Sequence, residues 1–497
     1  MDASGTRSAP RVLALASVAL LAAACANGQG PQPPSFPDGG LVARSTPPPN
    51  PWSLRNVLDG VYDTSSRFGS DVVVHVSQWG GVNPGEGMKA TVSLLAGDHF
   101  AFAVLQPGCF RDTTGTTPVT RLVLEGYWRY LDESEPGPAS TGLVRLFVTP
   151  PEVVDHVCSA PAWDPAGPPG DPRPAPAVRA ELTGATGNGA NAPGTPLTVT
   201  WSRARKNRLN AEGRQTFFVG ARQGGCKSSD NCGVSGNTPD GAILAAQLGA
   251  DYLEIDVRLT KDQVPVFMHQ GLFPGSVQGV YCNGWVEDYT YAELLANCRL
   301  RNGEVIPRVA DMLEFIYTRT NLPTWLDSKS TDVIVPVSAI LADLQERLVP
   351  CNPPPPGGLR EGQRCLFPGS APVWERGIIA LPSSDFVAEY QRAQAAGQLA
   401  PNQHCLVEAV LSAVTGIPCV GWKPRYTLGP QTGDTLPLQQ QGYFTGYWTI
   451  NDLGTMDAFL TTAVPNGILT NRIGLLNQRF EVVGITPPYT PWRVSTP

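Results

Sequence analysis

The 497-residue chain has no overall basic excess, no zinc-type C-x-x-C pair and no apolar run long enough to cross a bilayer. Each absence excludes something. Nucleic-acid surfaces gather basic side chains against phosphate, and a net charge of −7 argues against such a surface. Structural zinc sites space their cysteines closely, and none of the 11 cysteines here has that spacing. A membrane span needs roughly 20 apolar residues, and the stretch "VLALASVALLAAACA" near the amino terminus is shorter than that. What is present is ordinary globular composition, 42% hydrophobic and 16% charged. Its 52 glycines and 49 prolines predict many turns and connectors, and the length predicts two or three domains.

Arg7 and Arg11 precede the short apolar stretch, which reads as an export signal. It ends in a small-residue patch before Cys25 and resembles a bacterial lipoprotein cleavage signal, with the usual leucine displaced by one position to Leu21. On that reading residues 1–25 are a signal with Cys25 as the acylation site, and the protein is exported and lipid-anchored to a bacterial membrane. A plain secretory signal is the alternative. Residues 26–52, rich in Pro, Gly and Ser, then form a tether. Cys25 aside, ten cysteines remain, and eight fall into near pairs: Cys226/Cys232, Cys282/Cys298, Cys351/Cys365 and Cys405/Cys419, with Cys109 and Cys158 left over. An oxidising compartment would turn such pairs into disulfides.

The texture of residues 53–205 is all-β: runs such as "DVVVHVSQW", "HFAFAVL" and "GLVRLFVT" are split by turn residues and predict a sandwich or a small up-and-down barrel. Its ligand or protein partner is not encoded in any recognisable pattern, and His75, His99 and His156 are scattered through it. After Lys206 the pattern changes to alternating strands and helices, the signature of a parallel α/β barrel over residues 206–480, with a tail at 481–497. "TFFVGAR", "DYLEIDVRL", "PTWLDSK", "RGIIALP", "YFTGYWTIND" and "NGILTN" read as strands. "TPDGAILAAQLGA", "VADMLEFIYTRT", "NQHCLVEAVLSAV" and "MDAFLTTAV" read as helices, the first opened by Thr238 and Pro239 in favoured cap positions.

Glu254 and Asp256 lie two apart on one predicted strand and so share a face. Adjacent carboxylates repel unless a cation lies between them, and Ca²⁺ or Mg²⁺ is the natural candidate. Asp327 ends the next strand, with Lys329 two residues on, and His269 follows a further apolar run. Such a set suits an anionic phosphate ester, with His269 able to pass a proton near neutral pH.

The wording of these segments carries a resemblance. "LGADYLEIDVRLTKDQVPVFMHQG" is similar to the "GADYIELDVxLTKDGVPVVxHD" signature of the glycerophosphodiester phosphodiesterase family. "VIPRVADML", "LDSK", "YWTIND" and "NGILTNR" resemble, in family order, its "IPTLEEVL", "LEIK" and "VWTVND…DGIITDRP". The resemblance implies a TIM barrel of the phosphatidylinositol-phospholipase-C-like superfamily. It also implies Glu254, Asp256 and Asp327 as ligands of a divalent ion, His269 as a catalytic histidine, and Arg222 and Lys329 as phosphate-binding. Two positions depart from the pattern: "HRG" is here "ARQ", with Ala221 at the histidine position, and "ENT" is "GNT", with Gly236 at that of a glutamate ligand. Asp230 or Asp240 would be the nearest substitutes. Two readings follow: metal-assisted hydrolysis of a glycerophosphodiester or phospholipid headgroup, or a catalytically impaired relative that binds a phosphate-bearing ligand or a protein.

Overall fold

The computed structural model describes the strands between residues 60 and 205 with fragments of their connections, and residues 217–483 apart from short gaps such as 225–234. The signal, Cys25, the tether, Asp230, Cys226, Cys232 and the tail beyond 483 lie outside the described residues. Among the described residues no helix is long and apolar enough to cross a membrane.

The first unit is a closed antiparallel barrel of eight strands in up-and-down order. These are β1 (Gly60–Asp63), β2 (Asp71–Gln78), β3 (Met88–Ala96), β4 (His99–Asp112), β5 (Val119–Leu131), β6 (Thr141–Thr149), β7 (Ala177–Leu182) and β8 (Leu197–Arg205). Each strand pairs with its sequence neighbour, and β1 closes on β8. Of the two predicted architectures, the barrel is the one formed.

The second unit is a parallel eight-stranded barrel. Its strands are β9 (Phe218–Arg222), β10 (Tyr252–Leu259), β12 (Thr324–Ser328), β13 (Gly377–Leu381), β14 (His404–Val407), β15 (Cys419–Trp422), β16 (Phe444–Tyr447) and β17 (Gly467–Thr470). A short antiparallel strand, β11 (Pro265–Phe267), leans on the end of β10. The interior is packed. Phe218, Tyr252, Trp325, Ile378, Leu406, Val420, Phe444 and Leu469, one from each barrel strand, form a single apolar cluster in which Tyr252 stacks on Trp325 at 3.6 Å. Alternate residues face outward: Leu253, Ile255, Val257 and Leu259 of β10 join the cluster beneath the helices.

"NQHCLVEAVLSAV" corrects the sequence reading. It contains β14 and a 3₁₀ turn at Leu411–Ala413 rather than a helix. Its apolar letters fill a fully buried four-residue strand, too short for periodicity to separate from a helix. Cys405 and Cys419 are register partners on β14 and β15 and form a disulfide. Three further disulfides among the described residues, Cys109–Cys158, Cys282–Cys298 and Cys351–Cys365, also fit folding in an oxidising, extracytoplasmic compartment.

The pairing of β14 with β15 slips by one residue between Cys405/Cys419 and Val407/Trp422. The extra residue on β15 sends Trp422 outward into the helix-facing cluster and leaves Lys423 fully buried on the axial side. Gly421 sits inside this irregularity, where an added Cβ would come 2.0 Å from the Phe444 carbonyl oxygen. Gly421→Ala should therefore destabilise the fold by about 1–3 kcal/mol through overpacking. A lower denaturant midpoint at unchanged slope would report it.

Candidate active site

The inward row of β10 begins with Tyr252 in the apolar cluster and continues with Glu254 and Asp256 toward the carboxyl-terminal mouth. On β12, Trp325 is followed in the same way by Asp327. One oxygen from each of Glu254, Asp256 and Asp327 lies within 4.8 Å of the others, and all three residues are buried. Lys329 Nζ stands between two of them, 2.6 Å from Asp256 Oδ1 and 2.5 Å from Asp327 Oδ2. Asn237 holds Asp256 from the other side. Its Nδ2–H donates to Oδ2 at 2.9 Å, and its Oδ1 accepts from the Asp256 N–H at 3.1 Å. Asn237 does so at φ 58°, a left-handed conformation that asparagine tolerates. The Gln223 N–H donates to Glu254 Oε2 at 3.2 Å.

Two residues that the sequence reading did not single out complete the charge pattern. Glu408, just beyond β14, and Lys423, just beyond β15, form a buried ion pair at 2.9 Å, with Lys423 Nζ 5.3 Å from the Trp325 ring centroid. Glu408 was hidden in the misread helix. Lys423 was hidden by the slip in register.

Four buried carboxylates, with only Lys423 fully buried among them and Lys329 half-buried, crowd negative charge into a poorly solvated space. Burial, reinforced by the charge on Asp256 and opposed by Lys423, pushes the Glu254 carboxyl up to about 8. Burial together with Glu408 pushes Asp327 up to about 6. Asp256 is also penalised by burial, but Lys329, His269 and the donated hydrogen bonds outweigh it and hold its carboxyl below the usual range. A hard divalent ion meets the same crowding. The donors are all oxygens, and Asp327 Oδ1 is buried without a hydrogen-bond partner. Glu254, Asp256 and Asp327 therefore fit an ion such as Ca²⁺ or Mg²⁺. Gly236 adds no ligand, and Asp240 is exposed in the first turn of the helix Pro239–Gln247, outside the acidic group.

His269 follows β11, and the backbone folds it back over the acids: the Met268 N–H donates to the Asp256 carbonyl at 3.0 Å. Its Nε2 lies 4.0 Å from Asp256 Oδ1 and 2.9 Å from Arg222 Nη2. A guanidinium only donates, so Nε2 is the acceptor here and the ring proton sits on Nδ1. Burial lowers the histidine's pKa, as do Lys329, Arg222 and Arg258, against the pull of Asp256. Arg222 pairs in register with Glu254 and faces the mouth. Ala221 lies one residue earlier and is fully buried in the outer cluster beneath the helices. The only other described histidine in this barrel, His404, opens β14 at the opposite end.

Residues 232–333 match the model of the glycerophosphoryl diester phosphodiesterase family. Over that segment the chain is similar to the family. The matched segment contains the three acids, His269 and Lys329 and ends before Glu408 and Lys423. A glycerophosphodiester phosphodiesterase of Bacillus subtilis is 32% identical over 109 residues, covering 18% of this chain and 36% of the relative. The match thus spans about a third of that relative's length. Among solved structures, a glycerophosphodiester phosphodiesterase from Parabacteroides distasonis is similar at 17% identity and TM-score 0.39, over 54% of this chain and 97% of that one. An Oleispira antarctica phosphodiesterase in complex with the product sn-glycerol-3-phosphate is similar at 16% identity and TM-score 0.39, over 53% and 96%.

Removing one member of the Lys423–Glu408 pair strands a buried charge. Lys423→Met should cost about 3–5 kcal/mol, and adding Glu408→Leu should recover most of it. Asn237→Ala should cost about 1–3 kcal/mol by leaving the Asp256 backbone and side chain without partners. Urea unfolding of the three variants measures all of these losses.

Proposed function

We propose that the protein is an exported, lipid-anchored phosphodiesterase that hydrolyses a glycerophosphodiester or a phospholipid headgroup. The observation that carries the reading is the buried group of Glu254, Asp256 and Asp327, with Lys329 between two of its members and His269 facing Asp256. The match of residues 232–333 to the family model supports the class of bond, and the four disulfides among the described residues support export.

The three acids would hold the ion, which when bound supplies positive charge to the phosphoryl oxygens. Arg222 and Lys329 would hold the phosphate, Arg222 as a planar fork and Lys329 as a point charge. With Nε2 unprotonated, His269 starts as an acceptor. It would take the proton of the attacking hydroxyl and return it to the departing alkoxide, so that one imidazole serves both halves of the displacement. Asp256, 4.0 Å away, would stabilise the imidazolium formed in between.

The catalytically impaired reading has its own supports: Gly236 brings no carboxylate, and Ala221 is packed in the outer layer. It predicts ion and phosphate binding without turnover.

Incubating the protein with glycerophosphocholine and a lysophospholipid, with Ca²⁺, Mg²⁺ or chelator, separates the two readings. The expected outcome is metal-dependent release of the alcohol that falls ~10²–10⁴-fold in His269→Ala. Absence of turnover, alongside a metal-induced stabilisation of about 2.7 kcal/mol at a hundred times the dissociation constant, would establish the impaired binder instead.

A further inference from the structure

Arg258 is the next inward residue of β10 after Glu254 and Asp256. Its Nη2–H donates to the His269 carbonyl at 3.1 Å, and its Nε approaches the same oxygen at 3.4 Å. Its Nη1–H donates to Glu287 Oε1 at 2.8 Å, and the guanidinium lies 5.1 Å from the Trp285 ring centroid. The side chain is 13% exposed.

These contacts join two bodies with separate cores. Val266 and Met268, close before His269, and Leu272, after it, pack in a small cluster with Val286 and Leu294 rather than in the core beneath the barrel helices. The Cys282–Cys298 disulfide ties that cluster together. Phe267, between Val266 and Met268, packs in the barrel core and β11 pairs with β10, so His269 sits at the seam where the satellite meets the barrel.

We propose that Arg258 is a positioning residue: it fixes the His269 backbone over the acids and latches the 265–306 satellite to the barrel mouth. The kinetic part of this proposal rests on the phosphodiesterase reading. A planar fork with donors in fixed directions can serve the His269 carbonyl and Glu287 together, which a single ammonium cannot. Glu287 is 39% exposed, so its ion pair contributes little on its own. The bond to the His269 carbonyl carries the effect.

Hydrogen exchange and steady-state kinetics of Arg258→Met, Arg258→Lys and Glu287→Gln test it. In Arg258→Met the amides of residues 268–272 should exchange about tenfold faster while those of 404–407 are unchanged. Its kcat should fall ~10- to 100-fold with KM within about threefold, as expected for a misplaced reacting group. Arg258→Lys should shift both readouts in the same direction by less, and Glu287→Gln should leave both near wild type. Wild-type exchange at 268–272 in Arg258→Met overturns the proposal. So does Glu287→Gln slowing turnover as much as Arg258→Met. Should Arg258→Met lose protection throughout, Arg258→Lys decides, and wild-type behaviour there also overturns the proposal. If the wild-type protein cleaves no diester, the exchange measurements alone judge Arg258, and the failure falls on the phosphodiesterase reading.

Discussion

The mouth of the parallel barrel is organised by an unequal balance of buried charge. Four buried carboxylates converge on the buried Lys423 and the half-buried Lys329, and the barrel wall excludes much of the water that would otherwise screen them. Much else in the site follows from this constraint. Asn237 takes a left-handed backbone to bring two hydrogen bonds to Asp256. Two carboxyls retain protons well above their usual range. An ion bound by the same oxygens would take over the role those protons play.

The apolar cluster below is the mechanical counterpart of that balance. One side chain from each of eight strands fills the axis, with Trp325 and Tyr252 stacked at its centre. Side chains one step nearer the mouth are thereby held on a floor that does not yield. Lys423 rests against the Trp325 ring, so the packing and the electrostatics meet at one residue pair.

How far the sequence revealed this depended on whether the chemistry lay within one continuous strand. Glu254 and Asp256 were legible because period-two alternation puts them on one face, and the long β10 repeats that alternation four times. Asp327 and Lys329 were legible for the same reason. Glu408 was not, because β14 is a four-residue, fully buried strand with no polar face to alternate with. Lys423 faces inward only because the β14–β15 register slips, a property of two strands together that neither segment states alone. Asn237 stands in the "GNT" triplet beside Gly236, but its bonds to Asp256 depend on a backbone angle rather than on a motif.

The amino-terminal barrel carries a different kind of consequence. With β1 hydrogen-bonded to β8, its described strands leave no free edge on which an extended peptide could add itself as a further strand. A macromolecule that meets this unit must recognise side chains on its wall or the loops at its rims. Closure thus makes the unit a poor seed for edge-to-edge aggregation.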